Sequence, residues 1–207
     1  MTYGECRDRA LQLINQYTLG GQKIAPSYNN QEDYLLRIPS LINDAQMSIA
    51  DTTKGIKTSV FLDRDTAEYA AHMYRFMLPE DLMSICGHGL LVITDGQAKH
   101  CSTYTRMGGD YLLVPDSIKG DIYLEYFRRP QMLPIRPADD HPLDNTADAQ
   151  SAIPYFVAAM LVLQDDAFAY NALLGMWNTK LSMLSEAPYA ERETIEDVYD
   201  IGGMYDG

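Results

Sequence analysis

The residues best suited to chemistry in this chain are two cysteine–histidine pairs near its middle. Cys86 and His88 precede an apolar run that ends in an Asp-Gly turn signal, and His100 and Cys101 follow that turn. Two thiolates and two imidazoles would suit tetrahedral zinc if the turn brought them together. The spacing differs from the usual Cys-x-x-Cys half-site, and neighbouring residues of a strand point to opposite faces. We therefore predict polar sheet residues here, with a zinc-binding module as the alternative.

A second group with possible chemistry is Asp139-Asp140-His141, two carboxylates beside a base. It lies in a proline-rich stretch, where such a group is more often a solvated patch than a general acid–base site. The chain contains no Gly-x-Ser-x-Gly, P-loop, Gly-x-Gly-x-x-Gly or His-Glu-x-x-His motif. We predict no catalytic, cofactor-binding or metal-binding residue.

Composition excludes several classes of protein. The chain has 207 residues, of which 46% are apolar, so it can bury a core of one domain. Its net charge of −13 argues against a sequence-independent grip on nucleic acid, which requires a basic surface. No apolar run is long enough to span a membrane, and charges stand where a signal peptide needs its apolar region. Three cysteines favour reduced thiols in a cytosolic setting.

The stretch from residue 151 to 184 predicts two helices around which the rest must pack. Residues 153–163 are apolar nearly all round, which indicates a helix buried on every side. Asp165 and Asp166 suit a connection or the first turn of the next helix. The second helix has one apolar stripe at helical spacing, formed by Tyr170, Leu173, Leu174, Trp177, Leu181 and Leu184.

The preceding segments predict two helices and then a sheet. Thr2 and Glu5 form a capping box that opens a helix to about Leu19. A second helical pattern contains Pro39, which should kink the helix or restart it, so two pieces are expected at about residues 31–37 and 39–51. Strands are expected at residues 56–62, 73–78, 90–94, 111–114 and 121–127, with Tyr104 on the strand returning from the Asp95-Gly96 hairpin turn or just beyond it.

The last two segments differ in composition from the rest. Residues 130–147 include four prolines and no periodicity, so an extended link is expected. Residues 186–207 contain seven acidic residues against one basic residue. This composition is typical of a segment disordered by itself, which either stays so or folds upon a partner.

Together these patterns predict an α+β fold that is mainly helical, a helical bundle with an inserted small antiparallel β-sheet and an extended C-terminal tail. One domain occupies residues 1–185. Its bundle is formed by residues 2–52 and 148–185, its β insertion by 54–130 and its proline-rich link by 130–147. Residues 186–207 form the acidic C-terminal tail.

This succession of elements resembles the head-to-tail connector (adaptor) proteins of tailed bacteriophages, the group that includes the tail tubular A and packaged-DNA-stabilising proteins. The resemblance covers about residues 2–185, as the order Leu-Pro-x-Asp, strands, Tyr-x-x-x-Pro and a helical pair containing Asp-Asp. It is carried by the segments RIPSLINDAQMSIA, FMLPEDLMSI, GDIYLEYFRRP and IPYFVAAMLVLQDDAFAYNALLGMWNTKLSML.

The resemblance implies a virion structural protein of the neck, made in the host cytoplasm, without enzyme activity or cofactor. Its implied partners are the portal protein and tail or neck proteins. Several copies, for which we expect twelve, would form a ring that extends the DNA channel and offers the tail an attachment surface. DNA would pass through the lumen without sequence-specific binding. By position, the tail would dock on the portal through its apolar residues Tyr189, Ile195, Val198, Tyr199, Ile201, Met204 and Tyr205.

An alternative within the same class is a tail-completion or terminator protein. Such proteins are richer in sheet and shorter in helix, so a circular dichroism spectrum dominated by helix would favour the connector.

Overall fold

The structure, a computed structural model of the chain, describes residues 1–15, 31–53 and 55–185. Five helices and eight strands are found in these ranges. Two helices come first, all eight strands follow, and three helices end the described chain. The elements are α1 Tyr3–Leu13, α2 Gln31–Thr53, β1 Ile56–Phe61, β2 Glu68–Ala70, β3 Met73–Met77, β4 Leu82–Thr94, β5 Gln97–Cys101, β6 Thr105–Met107, β7 Tyr111–Pro115, β8 Asp121–Arg128, α3 Ala147–Gln150, α4 Ile153–Val162 and α5 Ala167–Ser185.

The prediction of a mainly helical fold is wrong. Helices make up about 39% and strands about 30% of the described residues. The strands form two antiparallel sheets, in the orders β1-β8-β4-β5 and β2-β3-β7-β6, instead of one small sheet. The short strands β2 and β6 account for part of the error, because every residue in them is exposed and they lack the alternating burial that marks a strand in sequence.

The strand patterns that alternate are confirmed. In β8, Ile122, Leu124 and Tyr126 are buried while the residues between them are more accessible. The Asp95-Gly96 hairpin between β4 and β5 is also confirmed, with both residues at positive φ. Tyr104 lies just beyond β5. The two sheets enclose a common core of Leu62, Phe76, Leu78, Leu82, Leu90, Leu112, Val114, Ile122, Leu124 and Tyr126.

The helices enclose a separate core around α4. No residue of α4 is fully exposed, in agreement with its all-round apolar sequence. All six residues of the predicted stripe on α5 face this core, with Leu173 and Trp177 the most buried. Asp166 accepts hydrogen bonds from the backbone N–H groups of Phe168 (3.0 Å) and Ala169 (2.9 Å), so this residue caps the start of α5.

The N-terminal capping box is confirmed, but α1 ends at Leu13 and not at about Leu19. The Thr2 hydroxyl accepts from the Glu5 N–H, and the Glu5 carboxylate accepts from the Thr2 N–H. Asn15 adopts φ +57°, a left-handed conformation that does not continue an α-helix. The remaining residues of the predicted helix lie outside the described ranges.

The break predicted at Pro39 is also wrong, because α2 continues through it. Proline removes one backbone donor and crowds the preceding turn. On either side of it, Ile38 and Ile42 are fully buried in the same helical core. Burial of both residues in the same core favours a continuous helix and outweighs the lost hydrogen bond.

Candidate functional site

The register of the hairpin separates His100 and Cys101 from Cys86. Residue pairing places His100 opposite Leu91 and Cys101 opposite Leu90, away from Cys86. Cys86 is buried, whereas His100 Nδ1 lies 3.4 Å from a Glu125 carboxylate oxygen on the outer face of the sheet. The side chain of His88 is outside what the structure describes. Among the described side chains, no group of three or more His, Cys, Asp or Glu residues could hold a metal ion.

The Asp139-Asp140-His141 segment holds the start of α1 in place. The backbone carbonyls of Asp139 and His141 accept hydrogen bonds from Gly4 N–H (2.9 Å) and Tyr3 N–H (2.8 Å). The Asp139 carboxylate accepts from both terminal nitrogens of Arg7, at 2.6 and 3.4 Å. These contacts are structural, and they use the carboxylate that a catalytic pair would need.

A cluster of hydrogen-bonded polar residues connects β8 of the first sheet to the helices. Arg128, at the end of β8, donates two hydrogen bonds to the Asp144 carboxylate, at 2.6 and 2.8 Å. The same carboxylate accepts from the Gln131 N–H at 2.6 Å. The hydrogen bonds from Arg128, and then that from Gln131, hold the pKa of Asp144 below its usual value although partial burial opposes this.

Helix α2 adds two amide side chains to this cluster. Gln46 is fully buried, and its Oε1 accepts from the Asp144 N–H at 2.8 Å. Asn43 pairs with the backbone of Leu133 in both directions, at 2.7 and 3.1 Å. We therefore define the polar joint as Arg128, Asp144, Gln131, Gln46 and Asn43. It fixes the proline-rich link against α2 and β8.

A cleft of about 500 Å³ opens between α1, α2 and the proline-rich link. Two of its apolar side chains are largely exposed, Leu36 at 74% and Ile135 at 91%. Its lining residues are Tyr3, Arg7, Leu35, Leu36, Pro39, Ile135, Arg136, Pro137 and Asp139. Because its lining joins exposed apolar side chains to the charged residues Arg7, Arg136 and Asp139, this cleft is suited to contact with another protein.

The outer face of the first sheet carries a row of side chains across all four of its strands. The register aligns Phe61, Tyr123, Leu91 and His100 in that order. The rings of Phe61 and Tyr123 are 5.3 Å apart, and Phe61 remains 48% exposed. This row is a second partly apolar surface of the described chain.

The outer side of α5 is a third such surface, which we call the outer stripe. Phe168, Met176 and Met183 are exposed at 85%, 53% and 65%. Ala172, Gly175 and Thr179 lie between them on the same side and are also exposed. The outer stripe therefore comprises Phe168, Ala172, Gly175, Met176, Thr179 and Met183.

The sequence patterns missed the outer stripe and the polar joint. Apolar residues occur on both sides of α5, so periodicity identified the richer side, which is buried. The exposed side has its own signal, since Phe168, Ala172, Met176 and Met183 recur at helical spacing. The polar joint unites residues distant in sequence and leaves no periodic signal.

The seven predicted portal-docking residues, Tyr189, Ile195, Val198, Tyr199, Ile201, Met204 and Tyr205, all lie outside the described residues. None of the described helices is both long and apolar enough to cross a membrane. The chain matches no protein-family model and is not significantly similar to any curated protein.

Proposed function

We propose that the chain is a virion structural protein that forms a ring between the portal and the tail of a tailed bacteriophage. The class comes from the resemblance of residues 2–185 to head-to-tail connector proteins. The physical support is the presence of three exposed apolar surfaces, the cleft, the outer face of the first sheet and the outer stripe, on a chain that already has two buried cores.

Several separate contact surfaces are what a ring protomer requires. A cyclic contact is head-to-tail, so each copy must present two different side surfaces to its neighbours. A connector also needs one surface for the portal and one for the tail. Leu36, Ile135, Phe61 and Phe168 lie on three different parts of the described chain and are each about half to nine-tenths exposed. Such surfaces mark protein–protein contacts in soluble proteins.

The charge of the chain supports a channel through which DNA passes without being bound. A net charge of −13 supplies few cations to neutralise phosphates, and phosphate contacts provide most of the non-specific affinity for DNA. A lumen built from copies of this chain would leave DNA free to move during packaging and ejection.

The direct test is native mass spectrometry of the chain mixed with the portal protein encoded in the same genome. We expect a defined assembly of many copies, with twelve as the expected number, on the portal ring. A chain shortened to residue 186 tests the proposed docking tail, because it lacks all seven docking residues. If neither form binds the portal, the connector function is wrong.

Two tail variants distinguish apolar docking from charge-driven docking. In the first, Ile201, Met204 and Tyr205 are replaced by serine. In the second, Glu191 and Glu193 are replaced by glutamine as a matched control that keeps the apolar residues. We expect loss of portal binding only in the first variant, because burial of apolar side chains would supply the affinity. Loss only in the second would contradict docking through the apolar residues.

The second candidate is a tail-completion or terminator protein, favoured by the strand content of about 30% and by the two antiparallel sheets. The spectrum expected from this fold contains substantial strand as well as helix, so circular dichroism does not favour the connector over this candidate. The partner distinguishes them. A tail-completion protein binds the end of the tail tube and leaves an isolated portal ring unoccupied.

A further inference from the structure

The outer stripe has features that a merely solvated helix face does not require. Lys180 is the only charged side chain of α5, and it points away from the stripe toward Ser151 (3.4 Å) and the Tyr155 ring (5.5 Å). The Thr179 hydroxyl donates to the Gly175 carbonyl of its own helix at 2.9 Å. The stripe therefore carries no charge, and its one polar side chain already has a hydrogen-bond acceptor.

Gly175 lies in the middle of the outer stripe. A glycine inside a helix costs about 1 kcal/mol relative to alanine. A Cβ added at Gly175 would meet no other part of the described chain within 4 Å, so packing within the chain does not explain it. Absence of a side chain does allow another backbone to approach α5 closely at this point.

The residues of the outer stripe are arranged symmetrically about the Gly175–Met176 bond. Phe168 and Met183 lie 7.5 residues from that midpoint on either side, and Ala172 and Thr179 lie 3.5 residues from it. In an antiparallel pair of identical helices centred there, Phe168 of one copy is level with Met183 of the other. Ala172 is level with Thr179, and at the centre Gly175 of one copy is level with Met176 of the other, where the absence of a side chain leaves room for the methionine.

We propose that two copies of the free protein associate through the outer stripes of α5 as a symmetric antiparallel dimer. A twofold contact uses the same surface on both copies, so self-complementarity about a midpoint is its requirement. The absence of charge also favours a second copy as the occupant. Two chains of net charge −13 repel each other, and the outer stripe itself adds no carboxylate to that repulsion.

The dimer is weak and salt-dependent. The outer stripe spans about 22 Å of helix, and a single helix pair buries less than the roughly 1,600 Å² of a standard interface. Since both chains are acidic, and Asp165 and Asp166 lie at one end of each stripe, added salt should strengthen the association. This contact is closed and differs from the head-to-tail contact of a ring, so the inference is independent of the proposed function.

Disulfide crosslinking tests the pairing directly. The Cys101→Ser background removes the half-buried thiol, and the buried Cys6 and Cys86 remain. Two forms of this chain, Ala172→Cys and Thr179→Cys, are oxidised separately and as a mixture. We expect covalent dimers mainly in the mixture, because like positions are offset by about 10 Å along the helix and a disulfide needs Cα atoms within about 7 Å.

Sedimentation over a hundredfold range of concentration provides the second measurement. We expect Phe168→Glu to raise the dissociation constant of the dimer at least tenfold. The matched control is Met77→Glu, which adds the same charge at a position that is 72% exposed and lies outside the stripe, the cleft and the first sheet, so it should leave the constant unchanged. Circular dichroism of each variant verifies the fold.

The outcomes separate the possible occupants of the stripe. Selective crosslinking of the mixture, with loss of association in Phe168→Glu only, supports the dimer. A chain that stays monomeric at the highest concentration overturns it, as does equal crosslinking of all three samples. If the chain is monomeric and Phe168→Glu abolishes portal binding instead, the stripe is a portal contact and the dimer is wrong.

Discussion

Replacing Asp144 by asparagine removes one charge from the polar joint while preserving the size of the side chain. The carboxylate accepts from both terminal nitrogens of Arg128 and from the Gln131 N–H. An asparagine must turn its NH₂ group toward one set of these donors, so at least one hydrogen bond is lost and Arg128 loses its counter-charge. We expect the variant to be less stable, because the Arg128 side chain that loses its partner is only 23% exposed.

The size of the loss follows from burial and from the number of bonds. Hydrogen bonds to charged groups contribute about 1.5–3 kcal/mol each. The side chains of Arg128 and Asp144 are 23% and 25% exposed, so hydrogen bonds to water replace part of the free energy that Arg128 loses. We therefore expect Asp144→Asn to lower the free energy of unfolding by about 2–3 kcal/mol. At a urea dependence of about 2 kcal/mol per molar, the midpoint falls by about 1–1.5 M.

The assay is urea unfolding followed both by the fluorescence of Trp177 and by far-ultraviolet circular dichroism. Trp177 is buried in the helical core, so its fluorescence reports on that core alone. Because the polar joint connects the two cores, the urea midpoints reported by fluorescence and by circular dichroism should differ in the variant. The matched control is Glu68→Gln, which breaks a 2.9 Å ion pair whose carboxylate is 75% exposed and should cost under about 0.5 kcal/mol.

The pH dependence provides the decisive check. Hydrogen bonds from Arg128 lower the pKa of Asp144 in the folded chain. The stability that the ionised carboxylate contributes is therefore fully present above the unfolded pKa of about 3.9. It is lost as the pH falls through the lower, folded pKa. The difference between wild type and Asp144→Asn should be constant above about pH 5 and shrink below about pH 4. A difference that persists unchanged at pH 2, or a loss no larger than in Glu68→Gln, would refute the reasoning.

Three further changes test other parts of the fold. Asp166→Ala removes the acceptor for two N–H groups in the first turn of α5, and thermal unfolding should show a loss of about 1 kcal/mol. Gly120→Ala should cost more than 2 kcal/mol in urea unfolding, because its φ is +97° and an added Cβ would lie 2.3 Å from the Ile93 carbonyl oxygen. Burial raises the pKa of Cys6 to about 12, so a thiol reagent at pH 8 should modify half-buried Cys101 in the folded chain and leave Cys6 unmodified until the chain is unfolded in urea.

Sequence periodicity predicted the elements that have one buried side and one exposed side. The alternation in β8 and the stripe on α5 both arise from contact with a core, so they are visible in the residue types. By contrast, β2 and β6 are exposed along their whole length and belong to the second sheet through backbone pairing alone. Residue types do not encode that pairing, so β2 and β6 were missed. The larger part of the underestimate is β4, which begins at Leu82 and not at residue 90.

Local rules also failed where distant contacts outweighed them. Pro39 predicted a break in α2, but buried residues on both sides of it pack on the same core. The polar joint unites residues 46, 128, 131 and 144, each of which is an ordinary polar residue in its own segment. Only the fold brings them together, so a sequence pattern has no means of identifying them.

Among the residues that the structure describes, the two cores have no buried residue in common, so each buries its own apolar surface. Directional polar contacts, centred on Asp144 and Gln46, therefore fix the link between them. The polar joint therefore also matters for the proposed ring, in which each of twelve copies turns by about 30° relative to the next. If neighbouring copies contact both the sheets and the helices, a loosened joint permits a range of angles. We then expect Asp144→Asn to form rings of mixed copy number in native mass spectrometry, whereas Glu68→Gln forms rings of a single number.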